Sequence, residues 1–238
     1  HYVENSSSQI YHWLVSLGLR FLPVVNWVER GMQGDGNSLP RYHVIWGTGN
    51  RLVELFVHLL KTHSNAKNIE YVFNHKVDDI LIESGSAIGC SAYNEHESNH
   101  QNYYAKNLIA ACGGISGSLD KVRQYWYKPW GQAPKELLNG SHQFADGLIH
   151  DALAAKGVNL THLDKMWNYA AGIPHPNPKF EDQGLSLIPC KSALWLDSTG
   201  KRIGPEPLVT GFDTNELCRR VSQQDKPYTW LVLNWRIA

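Results

Sequence analysis

Residues 103–114, YYAKNLIAACGG, constrain the fold more than any other stretch of this 238-residue chain. The run is polar at its start, continuously apolar from Leu108 to Ala111, and closed by Gly113 and Gly114. A strand with one wet face alternates apolar and polar residues, whereas one that turns wholly apolar enters a sheet covered on both faces. The segment therefore predicts an α/β protein, with glycines at the strand's carboxyl end where side chains stop screening the backbone from a ligand. A plain turn also uses Gly-Gly, so the local pattern leaves both readings open.

The neighbouring segments supply the remaining elements. Ser6 to Ser8 offer N-cap oxygens to a helix carrying Ile10, Trp13, Leu14 and Leu17 and ending at Gly18. A short apolar run, RFLPVVNW, is broken by Pro23, and a Gly-rich loop follows it. Gly47 and Gly49 then turn into a helix with Asn50 as N-cap and Leu52, Val53, Phe56, Val57 and Leu60 on its apolar side. IEYVFNHKVDDILIES predicts a kinked strand and AIGCSAY a second, which with 103–114 make a meander. SLDKVRQYW and DGLIHDALAAKGV predict helices, the latter packing through Ala152, Ala154 and Ala155 before Gly157. Past residue 160 the texture shifts to Pro, Trp and Gly, which places a boundary between a first domain, 1–160, and a second, 161–238.

Composition excludes several classes of function. Lys+Arg and Asp+Glu number 22 each, so no net field draws the chain to nucleic acid or an anionic membrane, and a small molecule is the expected partner. Apolar runs such as 52–60 are interrupted and fall short of the roughly 20 residues of a membrane span. Cys90, Cys112, Cys190 and Cys218 lie far apart without C-x-x-C, which argues against a zinc knuckle or a dense disulfide framework and points to the reducing cytoplasm. Residues 94–102, NEHESNHQN, do contain H-E-x-x-H. A zinc peptidase needs that motif on a packed helix; here it lies between two strands with no apolar residue at helical spacing. A hairpin loop is expected, and no metal site at His96 and His100.

Chemistry gathers around SLPRYHVIWGTG. In extended backbone Arg41 and His43 point to one side, so a guanidinium and an imidazole converge on one ligand. Gly47 and Gly49 expose backbone N–H groups at a helix start to an anion or an electron-rich ring. The competing reading is an ion-paired structural Arg and a core His with its hydrogen bonds made.

Seven segments in order, SLGLRFLPVVNWVERG, GNSLPRYHVIWGTG, HKVDDILI, LIAACGG, ADGLIHDALAAKGV, MWNYAAGI and LWLDSTGKRIGPEPLVTGFDT, resemble the flavoprotein family of fumarate reductases, succinate dehydrogenases and ketosteroid dehydrogenases. The likeness is greatest to its FAD-binding dehydrogenase branch and spans nearly the whole chain. It implies an FAD-binding domain with an α+β cap over the substrate, the cap beginning near residue 161. Val77 matches the strand residue whose backbone reads the FAD adenine. Ala111, Cys112, Gly113 and Gly114 match an Ala-Thr-Gly-Gly strand end beside the dinucleotide, with Cys112 in place of Thr or Ser. Arg41 and His43, with Gly47 and Gly49, match a segment beside the flavin, and Asp146 and Gly147 match Gly-Asp-Gly at a helix start, with Ala145 replacing the first Gly.

The resemblance also implies a reaction: hydride leaves a carbon near an activating carbonyl for the flavin while a base removes the neighbouring proton. Tyr169 and Tyr42 are candidate acid–base phenols, each with a packing Tyr as the alternative, and His43 is a candidate donor. GKRIGPEPLVTG keeps Arg202 and Glu206 but has Thr210 where fumarate reductases carry a proton-delivering Arg, which points away from fumarate reduction; Arg202 and Glu206 form an ion pair in the simpler reading. The family's G-x-G-x-x-G and its C-terminal flavin segment have no counterpart in these residues, so we expect a central piece that binds FAD weakly or not at all by itself. A degenerate, non-catalytic binding module is the reading from another class. The main expectation is that 108–114 and the Arg41/His43 arm form two walls of one slot for a fused-ring cofactor.

Overall fold

The structure, a computed structural model, describes residues 2–24, 42–187, 194–203, 214–226 and 228–235. It combines helices with small antiparallel sheets, as a mixed α/β chain requires. The chain folds as two compact units, 1–72 and 73–238.

In the first unit, helix α1 (Tyr2–Asn5) runs through a π-helical stretch, Ser6–Tyr11, into α2 (His12–Ser16). The serines expected to cap this helix lie inside it, because the helix begins earlier, at Tyr2. Gly18, at φ +93°, ends it, and the Leu19 N–H returns to the Leu14 carbonyl at 3.1 Å, a glycine-terminated helix end. Strand β1 (Phe21–Val24) pairs antiparallel with β2 (Tyr42–Ile45). Pro23 thus lies within a strand rather than breaking the run; a two-stranded ribbon leaves outer positions where a missing N–H costs no ladder bond. Helix α3 (Thr48–Thr62) follows, capped by Gly47 at φ +90° and not by Asn50. Its inward side is Leu52, Leu55, Phe56 and Leu59, while Val53, Val57 and Leu60 of the expected apolar side are exposed.

The second unit is built on a three-stranded meander, β3 (His75–Glu83), β4 (Ser86–Asn94) and β5 (Asn99–Tyr104), in that spatial order. Val77 pairs with Ala92 and Ile80 with Cys90, with a register shift between Val77 and Asp79. Asp78, left in that bulge, accepts a hydrogen bond from His100 Nε2 at 2.7 Å. Gly89 fits the middle strand because a Cβ there would lie 2.0 Å from the Tyr103 carbonyl oxygen.

The expected third strand is shifted. β5 ends at Tyr104, and residues 106–114 make no backbone hydrogen bond among the described residues. Residues 109–114 are exposed, Ile109 at 90%. Four apolar residues in succession are compatible with a doubly covered strand, but a strand also needs a ladder partner, and no described segment pairs with this one.

Helix α4 (Leu119–Gln124) is capped by Ser118, whose hydroxyl accepts from the Lys121 N–H at 3.4 Å. Helix α5 (Leu148–Ala155) packs on β3. It buries Ile149, with Ala152 and Leu153 half-buried, whereas Ala154 and Ala155 of the expected alanine face point to water. Lys156, just past its end, pairs with Asp79 of β3 at 3.0 Å.

The remaining chain forms two ribbons, β6 (Gly172–Pro174) with β7 (Gly184–Ser186) and β8 (Leu194–Leu196) with β9 (Trp230–Val232), and helix α6 (Thr214–Ser222). A small core joins Trp195, Ile203 and Leu217. On α6, Arg219 grips Glu216 with Nε at 2.7 Å and Nη2 at 2.6 Å, and Arg220 Nε adds a contact at 2.6 Å. These bonds, Arg219's foremost, hold the Glu216 carboxyl at about 2, well below the usual carboxylate range. Because the folded-state value is depressed, the contribution to stability is present above the unfolded value and is lost as pH falls through the folded one. Chemical denaturation is therefore expected to show a stability loss between about pH 5 and pH 2 that is smaller in a Glu216→Gln variant.

Candidate functional site

Glycine lets two distant stretches of the second unit run side by side. The Gly117 N–H donates to the Ala145 carbonyl at 2.8 Å, and a Cβ on Gly117 would stand 2.3 Å from the His142 carbonyl oxygen. Gly113, at φ +83°, turns its bare backbone toward Ala145, whose methyl group would be 3.3 Å from any Cβ at 113. Gly147, at φ +78°, opens α5 where a Cβ would meet Lys121 Cδ at 2.8 Å and Ile115 Cγ2 at 3.0 Å. Asn139, buried, donates from Nδ2 to the Gly117 carbonyl at 2.9 Å and braces the same crossing. The Asp146 carboxylate accepts from the Leu148 N–H at 3.0 Å and so orders the start of α5.

Beside this crossing lies a cleft of about 340 Å³ between the N-terminal end of β3 and the start of α5. Val77, Cys112, Asp146 and Gly147 all line it, so four residues singled out from three separate motifs meet in one place. Ala111, Gly113 and Gly114 flank Cys112 in the chain. His75 and Phe144 also line the cleft; His75 opens the HKVDDILI segment but is not one of its expected site residues, and Phe144 lies outside every expected motif. His75 sits two residues before Val77, its Nδ1 2.7 Å from the Phe73 carbonyl oxygen and its ring edge-on to Tyr103. The alternation of side chains along a strand is the available signal for His75; Phe144 has none.

Other candidates stand elsewhere. Tyr169 is 59% exposed, and its hydroxyl makes no hydrogen bond among the described residues; it does not line the cleft. Gly47 is the left-handed cap of α3 as its sequence suggests, whereas Gly49 falls within the helix. Thr48 also has a positive φ, +62°, an uncommon state for a β-branched residue. Arg41 lies outside the described residues, as do the side chains of Tyr42 and His43 and the residues Cys190, Glu206 and Thr210.

The H-E-x-x-H stretch forms the β4–β5 hairpin, as expected. His96 shares a 2.7 Å hydrogen bond with Asn74, while His100, on β5, engages Asp78. The two imidazoles have different partners, and no group of three metal-ligating side chains occurs among the described residues. Cys90, Cys112 and Cys218 are free thiols, and burial pushes Cys218 up to about 12.

Residues 1–226 match the family model described as an FAD binding domain. This chain belongs to that FAD-binding family. It is 34% identical to a KsdD-like steroid dehydrogenase of Mycobacterium tuberculosis, covering 99% of this chain and 44% of the relative. It is 32% identical to a KsdD-like steroid dehydrogenase of Mycolicibacterium smegmatis, over 99% of this chain and 45% of the relative. The chain thus spans a little under half the length of these relatives.

The cleft has backbone groups suited to a flat, polar ring. Among the described strands β3 lies at the edge of its sheet, paired with β4 alone, so alternate N–H and C=O groups near Val77 face outward. The backbone at Cys112 is likewise unpaired among the described residues. A flat ring whose edge both donates and accepts finds complementary groups there, and bare glycine permits close approach.

If the glycine crossing builds this cleft, its two central glycines differ in how much they tolerate. Gly117→Ala drives a methyl group into a carbonyl oxygen and is expected to cost roughly 3 kcal/mol or more. Gly113→Ala adds mainly backbone strain and one tight contact, roughly 1–2 kcal/mol. Denaturant midpoints of the two variants test that order.

Proposed function

We propose that this chain is the central part of an FAD-dependent dehydrogenase acting on a small, steroid-like carbonyl compound, with residues 1–160 contributing to the cofactor domain and 161–238 to the substrate cap. The observation that carries the reading is the convergence of Val77, Cys112, Asp146 and Gly147 on one cleft. Family membership and the steroid dehydrogenases among its relatives support it.

In this reading, the backbone of Val77 at the free edge of β3 holds the adenine. The run Ala111, Cys112, Gly113 and Gly114 lies along the dinucleotide, with no ladder bonds among the described residues to compete for its backbone groups. Asp146 and Gly147 set the N-terminus of α5 beside it. The family resemblance assigns Arg41 and His43, with Gly47 and Gly49, to the flavin. FAD, when bound, supplies the hydride acceptor.

The chain's own residues then carry the proton chemistry. A phenol acts as base toward the C–H bond next to the substrate carbonyl, with Tyr169 and Tyr42 as the candidates. Tyr169 has the exposure such a role needs, and its hydroxyl makes no hydrogen bond among the described residues. His43 donates to the carbonyl oxygen as negative charge develops on it.

A protein of the relatives' length that contains this chain is expected to purify yellow, with the visible absorbance of an oxidised flavin. Val77→Pro removes a backbone N–H and disturbs the edge of β3, and is expected to lose the colour while circular dichroism stays close to wild type. A colourless, folded parent protein would overturn the reading.

A further inference from the structure

Phe144 is 69% exposed, although it stands on a bonded turn. Its N–H reaches His142 Nδ1 at 3.3 Å, and the adjoining Ala145 donates to the His142 carbonyl at 2.9 Å and accepts from Gly117 at 2.8 Å. Among described aromatic groups the ring meets His142 alone, in a tilted contact with centroids 5.4 Å apart and planes at 49°. It lines the cleft with Val77 and Cys112. An aromatic side chain held in place with its face open, inside a cleft with unpaired backbone groups, is equipped to stack on a flat ring.

The charges of the cleft indicate which part of a nucleotide it takes. Lys76, His75 and His150 are offset by Glu95 and Asp146 in the lining, so the cleft has no strong positive field to anchor a phosphate. A neutral heteroaromatic base suits it better: one face on Phe144, one edge on the outer side of β3.

We infer that Phe144 is the stacking platform for the adenine ring of the dinucleotide, a positioning role for a residue outside every motif that marks this cofactor site. The inference rests on the FAD reading above. Phe144 fixes the tilt of the base and Val77 its edge, so the two share the work of selecting adenine over a ring of another shape.

Cys112, exposed and in the same cleft, reports occupancy without any need for turnover. The 238-residue chain is treated with iodoacetamide, with and without millimolar ADP, and the alkylation rate of the Cys112 peptide is followed by mass spectrometry. Buried Cys218 serves as an unreactive control. ADP is expected to slow Cys112 alkylation in the wild type and in Phe144→Tyr, whereas Phe144→Ala needs about tenfold more ADP for the same protection. FMN, which lacks adenine, should protect neither.

Equal protection of wild type and Phe144→Ala by ADP would overturn the stacking role and leave the FAD reading intact. Protection by FMN in place of ADP would overturn the adenine assignment by placing the flavin end here. Absence of protection by ADP, FMN and FAD alike in the wild type would overturn the inference, and the colour of the longer protein then tells whether the FAD reading falls with it.

Discussion

The hydrogen bond from Gly117 to Ala145 is the constraint on which the candidate site depends. It holds the stretch after the meander against the stretch before α5, and it exists only because position 117 has no side chain to strike the carbonyls on either side. With that crossing in place, Cys112 and Asp146, far apart in the chain, line one cleft. The two motifs that carry Cys112 and Asp146 are thus joined, since each supplies a surface that the other needs.

The same crossing accounts for a local departure from the family pattern. Ala145 stands where the first glycine of Gly-Asp-Gly is usual, and its methyl group points at Gly113, where a side chain would be crowded. Space opened on one side of the crossing is filled from the other.

Local elements are legible wherever the pattern is itself the physical cause. Alternation and turn chemistry predict β3, β4 and the hairpin that follows them, although β5 begins within the stretch read as loop, and Ser118 announces α4 through its cap. Sequence and structure diverge where a local pattern depends on something distant. Leu108 to Ala111 have the composition of a buried strand, but strand formation depends on a partner that the segment does not specify. The inward faces of α3 and α5 differ from expectation because both helices have more apolar positions than they bury, and only packing selects among them. At the site, Val77, Cys112, Asp146 and Gly147 are found through resemblance; no spacing rule connects them. Phe144 escapes because neither periodicity nor resemblance points to it.

The bare stretch 108–114 also bears on how the molecule behaves at high concentration. A run of apolar side chains whose amides have no backbone partner among the described residues, led by the nearly naked Ile109, is a template on which strands of other molecules can assemble. Natural edges guard themselves with charge or proline, and here Lys106 is the nearest such gatekeeper, with none between it and Gly114. Open backbone that leaves room for a ligand is the same property that invites self-association, so occupancy of the neighbouring cleft and colloidal behaviour are coupled through one short segment.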